Sequence, residues 1–182
     1  MKRAVGLLEF NSIAAGIKTI DNVIKSADIE LIQALSLCPG KYVAMFFGDV
    51  GSVQSAIELG KKEADNFLVD SFILANAHDD LIPALHGSVE IKEYKALGII
   101  ETFSVASGIV AADTAAKTAR ISLIEIRTAR GMAGKSIVLF TGDIGSVRMA
   151  VETAANNVAL EGMLVNKEII PSVHKDLWNK IL

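Results

Sequence analysis

A chain of 182 residues with a formal net charge of -3, half of it apolar and a fifth charged, has the length of one domain or of two of about 90 residues and the composition of a compact folded protein. The small charge includes no basic block, which disfavours a nucleic-acid partner, and no apolar run reaches the roughly 18 residues of a membrane span, so the expected location is the cytoplasm. The single cysteine, Cys38, rules out an intrachain disulfide, and without CxxC or Cys/His spacing it rules out a metal site completed within one chain.

Taken in order, the apolar run Val5 to Phe10 predicts a buried strand, and Ser12 after it predicts a helix N-cap. Ile13, Ile17, Ile20 and Ile24 recur at spacings of three and four and predict one aliphatic stripe on a helix ending near Ala27. Ile29 to Leu35 and Tyr42 to Phe47 predict a hairpin, with Pro39 and Gly40 supplying the turn chemistry around Cys38. Asp49 is suited to cap a second helix running to about Asp65, with Val53, Ile57 and Ala64 inward. Leu68 to Leu74 predicts a fourth strand, and His78 to Leu85 a short terminal helix. The order is βαββαβ with a helical tail, which covers one sheet face with two helices and leaves the other for partners or a second copy.

That second copy is in the same chain. Ala4 to Ser36 aligns without a gap on Ala96 to Thr128 at an offset of 92, and 13 of the 33 pairs are identical, which identifies an internal duplication. After the hairpin turn the offset becomes 94, and Gly40 to Leu59 matches Gly134 to Thr153 at 10 of 20 positions, so the second turn is two residues longer. A further shift to 96 aligns Leu68 with Leu164 and His78 with His174. The expected organisation is therefore α+β, with two tandem ferredoxin-like βαββαβ domains at 4–87 and 96–182 joined by a polar connection from Gly87 to Lys95. The copies differ most where Leu37-Cys38-Pro39-Gly40-Lys41 in one corresponds to Arg130-Gly131-Met132-Ala133-Gly134-Lys135 in the other. One turn carries a thiol and the other a guanidinium, so a specialised function is sought there.

The repeated features are the opening Ala-x-Gly-x-x-Glu, the Lys-x-Ala ending the first helix (Lys25, Ala27; Lys117, Ala119), the turn, Gly-Asp-x-Gly-x-Val and the closing histidine. Together they resemble the bacterial microcompartment shell domain over nearly the whole of both halves. The resemblance implies a homotrimer forming a pseudo-hexameric tile in a cytoplasmic microcompartment shell, with other shell proteins as partners. It places Leu37, Cys38, Pro39 and Gly40, and Arg130, Gly131, Met132 and Ala133, in loops around a central pore. Cys38 in Cys-Pro-Gly-Lys is similar to the T-type tandem shell proteins of propanediol-utilisation compartments, in which three cysteines, one per subunit, hold a 4Fe-4S cluster. The implied roles are electron transfer or cluster transport across the shell, with encapsulated redox enzymes as further partners. Lys25 and Lys117 fall at the family's tile edge. The family's closing Pro-Arg-Pro-His is only partly kept, as Ala75-Asn76-Ala77-His78 and Pro171-Ser172-Val173-His174.

Each of these residues also has an ordinary reading. A lone cysteine is usually a small buried hydrophobe, although the Pro-Gly turn setting argues against burial here. A thiol-lined pore without metal is the alternative to a cluster. Arg130 reads either as a solvated loop charge or as positive charge near the axis. Lys25 and Lys117 read as solvated helix-end charges favoured by the macrodipole. The two Gly-Asp-x-Gly-Ser segments lack a following Gly-Lys-Ser/Thr and read as strand-to-helix turns with an Asp cap. Asp21, Asp113, Glu9 and Glu101 read as capping or sheet-end residues, and His78 and His174 as capping or surface residues. No acid, base and nucleophile constellation points to an enzyme. The rival to a shell tile is a soluble trimeric regulator or ligand-binding protein of ferredoxin-like fold.

Overall fold

The computed structural model describes residues 4–91, 93–128 and 131–181. By contact density the chain divides between Ala77 and His78 into two compact units. The first holds β1 (Ala4–Phe10), α1 (Ile13–Ser26), β2 (Ile29–Leu37), β3 (Lys41–Gly48), α2 (Val50–Ala64) and β4 (Leu68–Leu74). The second opens with a short helix, α3 (Leu81–Leu85), and repeats the same order as β5 (Ala96–Thr102), α4 (Val105–Thr118), β6 (Ile121–Thr128), β7 (Ser136–Gly142), α5 (Ile144–Leu160) and β8 (Leu164–Ile170), ending in α6 (Lys175–Ile181). Each sheet is antiparallel, ordered β2-β3-β1-β4 and β6-β7-β5-β8, which is the ferredoxin-like arrangement.

Inside each unit a glycine on the first strand faces a phenylalanine on the third. Gly6 pairs with Phe46 and Gly98 with Phe140 in the same register. A Cβ on Gly6 would lie 2.5 Å from the Phe46 ring, and one on Gly98 would lie 2.3 Å from the Phe140 ring, so the aromatic fills the space a side chain would occupy. Both rings are fully buried. Around Phe46, the core of the first unit gathers Leu8, Phe10, Ala44, Val53, Ala56 and Ile57 between the sheet and its two helices.

The helices begin as the sequence indicates. Ser12 Oγ accepts the Ala15 amide at 3.3 Å, and Ser104 Oγ accepts the Ser107 amide at 3.1 Å. Asp49 caps α2, its Oδ1 accepting from the Ser52 amide at 3.0 Å and its Oδ2 from the Ser52 hydroxyl at 2.6 Å. These bonds, the hydroxyl first and the amide next, hold its carboxyl below the usual carboxylate range. Asp143 stands at the matching N-cap position without capping: its Oδ1 pairs with Lys95 Nζ at 3.1 Å instead. The Asp cap expected in both copies is therefore made in one, because a cation competes for the second carboxylate.

The aliphatic stripe of α1 also differs from expectation. Gly16, Thr19, Ile20 and Val23 are the buried residues, while Ile13, Ile17 and Ile24 are exposed. The helix lies close to the sheet along Gly16, where a Cβ would meet Tyr42 at 2.6 Å, and this turns three of the four isoleucines outward. The equivalent stripe on α4 is buried at Val105 and Ile109. No described helix is long and apolar enough to cross a membrane.

Two outcomes test this account. Gly98→Ala forces the buried Phe140 ring to move and is expected to lower unfolding free energy by about 1–3 kcal/mol in urea titrations, the usual cost of overpacking a core. Because the folded-state pKa of Asp49 is depressed, its contribution is present above the unfolded value of 3.8 and lost as pH falls through the folded value. The Tm gap between wild type and Asp49→Asn should therefore narrow as pH drops below about 4, measured by calorimetry across a pH series.

Candidate functional site

The first unit's sheet presents a tight turn at the end where β1 leads into α1. Strands β2 and β3 pair up to Leu37 opposite Lys41, leaving Cys38-Pro39-Gly40 to close the hairpin. Gly40 has φ 79°, the left-handed conformation that completes a three-residue hairpin loop and that glycine adopts without steric cost. Leu37 turns into the core, while Cys38, Pro39 and Gly40 are exposed and the Cys38 thiol is unbonded to any other cysteine. The base of the turn is pinned electrostatically. Lys41 Nζ donates to Glu9 Oε1 at 2.6 Å, and Glu9 is buried. Immediately inward, burial raises the Tyr42 phenol above its usual pKa.

The second unit repeats the base and changes the tip. Lys135 Nζ donates to Glu101 Oε1 at 3.0 Å, reproducing the first pair. Gly131, Ala133 and Gly134 all have positive φ, at 71°, 51° and 89°, and the Lys135 amide donates to the Met132 carbonyl at 3.0 Å. Three left-handed residues in four coil the longer loop on itself, where the first unit needs only Gly40. Gly131 and Ala133 are exposed and Met132 is partly buried. Arg130 lies outside the described residues. Glu9 and Glu101, read as capping or sheet-end residues, do lie one residue from the end of β1 and β5, where each pairs with the lysine that follows the turn. The signal was available in the sequence, because Gly-Lys recurs after both turns and Glu recurs on both first strands.

The other singled-out residues sit apart from the turns. Lys25 pairs with Asp21 and Lys117 with Asp113, each one helical turn away at 2.5 Å. Neither aspartate caps its helix. Asp113 is buried, and its Oδ1 accepts the His78 amide at 2.8 Å, tying the segment before α3 to α4. His78 Nδ1 accepts from the Asp80 amide at 3.2 Å and His174 Nδ1 from the Asp176 amide at 3.3 Å, so both histidines organise the entry to a terminal helix. Trp178 on α6 packs on Leu97, Ile124 and Leu139, with its ring 5.0 Å from that of Tyr94.

A cleft of about 670 Å³ in the second unit is lined by Glu93, Lys95, Arg120, Thr141 and Asp143, among others. Lys95 bridges Glu93 at 2.9 Å and Asp143 at 3.1 Å, and Glu93 followed by Asp143 raises its pKa. Thr141 Oγ1 accepts the Lys95 amide and donates to the Ala96 carbonyl, so these groups satisfy one another and fix the connection to β5. Among the described residues, no three His, Cys, Asp or Glu side chains gather as one chain's metal site. A ligand set containing several thiolates must therefore draw Cys38 from several chains.

Comparison with known proteins agrees with this duplicated architecture. The BMC domain profile matches residues 4–77 and again 96–173. The bacterial microcompartment shell protein PduT of Citrobacter freundii is 39% identical over 182 residues, spanning 100% of this chain and 99% of that protein. A crystal structure of a microcompartment protein from Desulfitobacterium hafniense DCB is 46% identical and superposes with a TM-score of 0.95 over 98% of this chain and 99% of that one. The fused permuted hexameric shell protein MSM0275 from the RMM microcompartment shares the fold at a TM-score of 0.63 and 18% identity, covering 87% of this chain and 82% of that one. With both halves matched, the chain belongs to the BMC domain family, as a structural shell protein of bacterial microcompartments built from two tandem domains.

Proposed function

We propose that this chain is the subunit of a homotrimeric shell tile in which three Cys38 thiolates, one from each copy, hold a 4Fe-4S cluster at a central opening. The observation that carries the reading is the exposed, unbridged thiol on a tight turn whose base is fixed by Lys41 and Glu9. The donor chemistry fits, since thiolates are the ligands of iron-sulfur clusters. The donor count also fits a multichain site, because each chain supplies one cysteine. A bound cluster would supply one-electron redox chemistry.

The chain's own part is positional. Pro39 and Gly40 narrow the turn that presents the thiol, and the Lys41 and Glu9 pair holds the base of that turn. Gly131, Met132 and Ala133 lie in the corresponding loop of the second domain and would alternate with Cys38 around the opening. Arg130 would bring positive charge there, which offsets a cluster's negative charge. Lys25 and Lys117 would lie toward the tile edge, against other shell proteins. The tile is a structural protein and not an enzyme, serving electron transfer or cluster transport to encapsulated redox enzymes.

Two measurements test this. Wild type purified anaerobically is expected to contain iron and sulfide, with iron-sulfur absorption and paramagnetic resonance, and to remain trimeric. Cys38→Ala should lose iron and sulfide while keeping the trimer and the Tm of cluster-free wild type, since an exposed side chain is removed. A trimeric wild type without iron would leave a metal-free pore. Overexpressed protein should form extended sheets by electron microscopy, whereas discrete colourless trimers would favour a soluble regulator.

A further inference from the structure

The two turns differ at their tips, and they also differ in what lies behind them. Phe10 pairs with Tyr42 in the first domain, and Thr102 pairs with Ser136 at the same register in the second. In both domains a glycine of the long helix after the first strand lies over the pair. A Cβ on Gly16 would meet the Tyr42 ring at 2.6 Å, and one on Gly108 would meet Ser136 Oγ at 2.2 Å. One place, kept by duplication, is therefore filled by two rings behind the thiol turn and by two hydroxyls behind the other.

The rings are buried in the core of their domain, with centroids 6.4 Å apart and Tyr42 only 8% exposed. In the second domain Thr102 and Ser136 are fully buried as well, but Thr102 Oγ1 donates to the Ser104 carbonyl at 2.9 Å and Ser136 Oγ to the Arg127 carbonyl at 3.0 Å. The same fold thus forms over either filling, so the sheet itself does not require aromatic residues here. Tyr42 stands one pair inside the closing Leu37 and Lys41 pair, roughly 7 Å of strand from the turn. Burial raises its phenol above the usual pKa, the sign of a setting that disfavours negative charge.

We propose that Phe10 and Tyr42 form an apolar floor behind the Cys38 turn that lowers the reduction potential of a cluster held by that thiol. Reduction adds one electron to a thiolate-bound, already anionic group, and a water-poor, apolar surround opposes the added charge. Neither ring gains or loses an electron, and no bond to either forms. The proposal rests on the trimeric cluster reading and deepens it by naming the residues that set the cluster's potential. Its effect is repeated in every subunit around the opening, whereas the hydroxyl pair of the second domain supplies no such floor.

The experiment is a redox titration of the anaerobically purified full-length trimer with dithionite and mediators, followed by paramagnetic resonance, with circular dichroism to follow folding. Tyr42→Ser, which installs the second domain's residue, and Tyr42→Gln, which keeps more of the volume should the serine variant not fold, are both expected to move the potential positive. The expected size is about tenfold in the one-electron equilibrium, or about 59 mV. Tyr42→Phe keeps the ring and should leave the potential where it is. Val53→Ala opens a core cavity beside Gly48, at the far end of β3, and should also leave it unchanged, which separates the floor from general loosening of the domain. Serine and glutamine variants that hold iron at the wild-type potential, or an equal shift in Val53→Ala, overturn the floor and leave the cluster reading intact. Wild type without iron overturns both.

Discussion

The fold of each domain depends on a phenylalanine ring lying over a glycine of the adjacent strand. Phe46 over Gly6 and Phe140 over Gly98 join the first and third strands at the centre of each sheet. Side chains alternate between sheet faces, so a slip of one residue would move either ring from the helix side to the opposite face. The ring therefore fixes the pairing register, and the register fixes which residues are left over at the hairpin tip. Cys38 projects at a turn because Leu37 and Lys41 are the last pair on strands aligned from their centres.

From that common frame the two halves diverge where packing constrains them least. The base of each turn keeps the same lysine and glutamate pair, while one tip is a three-residue bend with a thiol and the other a longer coil with three left-handed residues. Helix starts diverge in the same way. Asp49 caps α2, whereas Asp143 turns to Lys95 on the connection into its own domain. A residue kept by duplication thus takes a new partner wherever the chain before it has a new path.

Much of this was legible in the residues. Alternating and helical periods located the strands and helices, and the gapless offset of 92 exposed the duplication without structural help. Cys38 was placed on an exposed turn by its neighbours Pro39 and Gly40, whose backbone preferences are local. What could not be read depends on tertiary contact. The isoleucine spacing on α1 located an apolar stripe but could not say which side meets the sheet, since Gly16 sets that by close approach to Tyr42. The bulges at Ile32 and Ile124 leave no pattern in composition. Asp113 resembled a capping residue because its amide partner, His78, is 35 positions away in the chain.

The unequal turns carry a consequence for inheritance. Since thiol and guanidinium loops are specified by separate codons in one reading frame, drift at either can proceed without altering its twin. A chain with one domain per gene has no second loop in which to keep the original residue. Here a new group at one turn appears once for every two domains, so that reactive chemistry can be introduced in one domain while the other keeps its own loop.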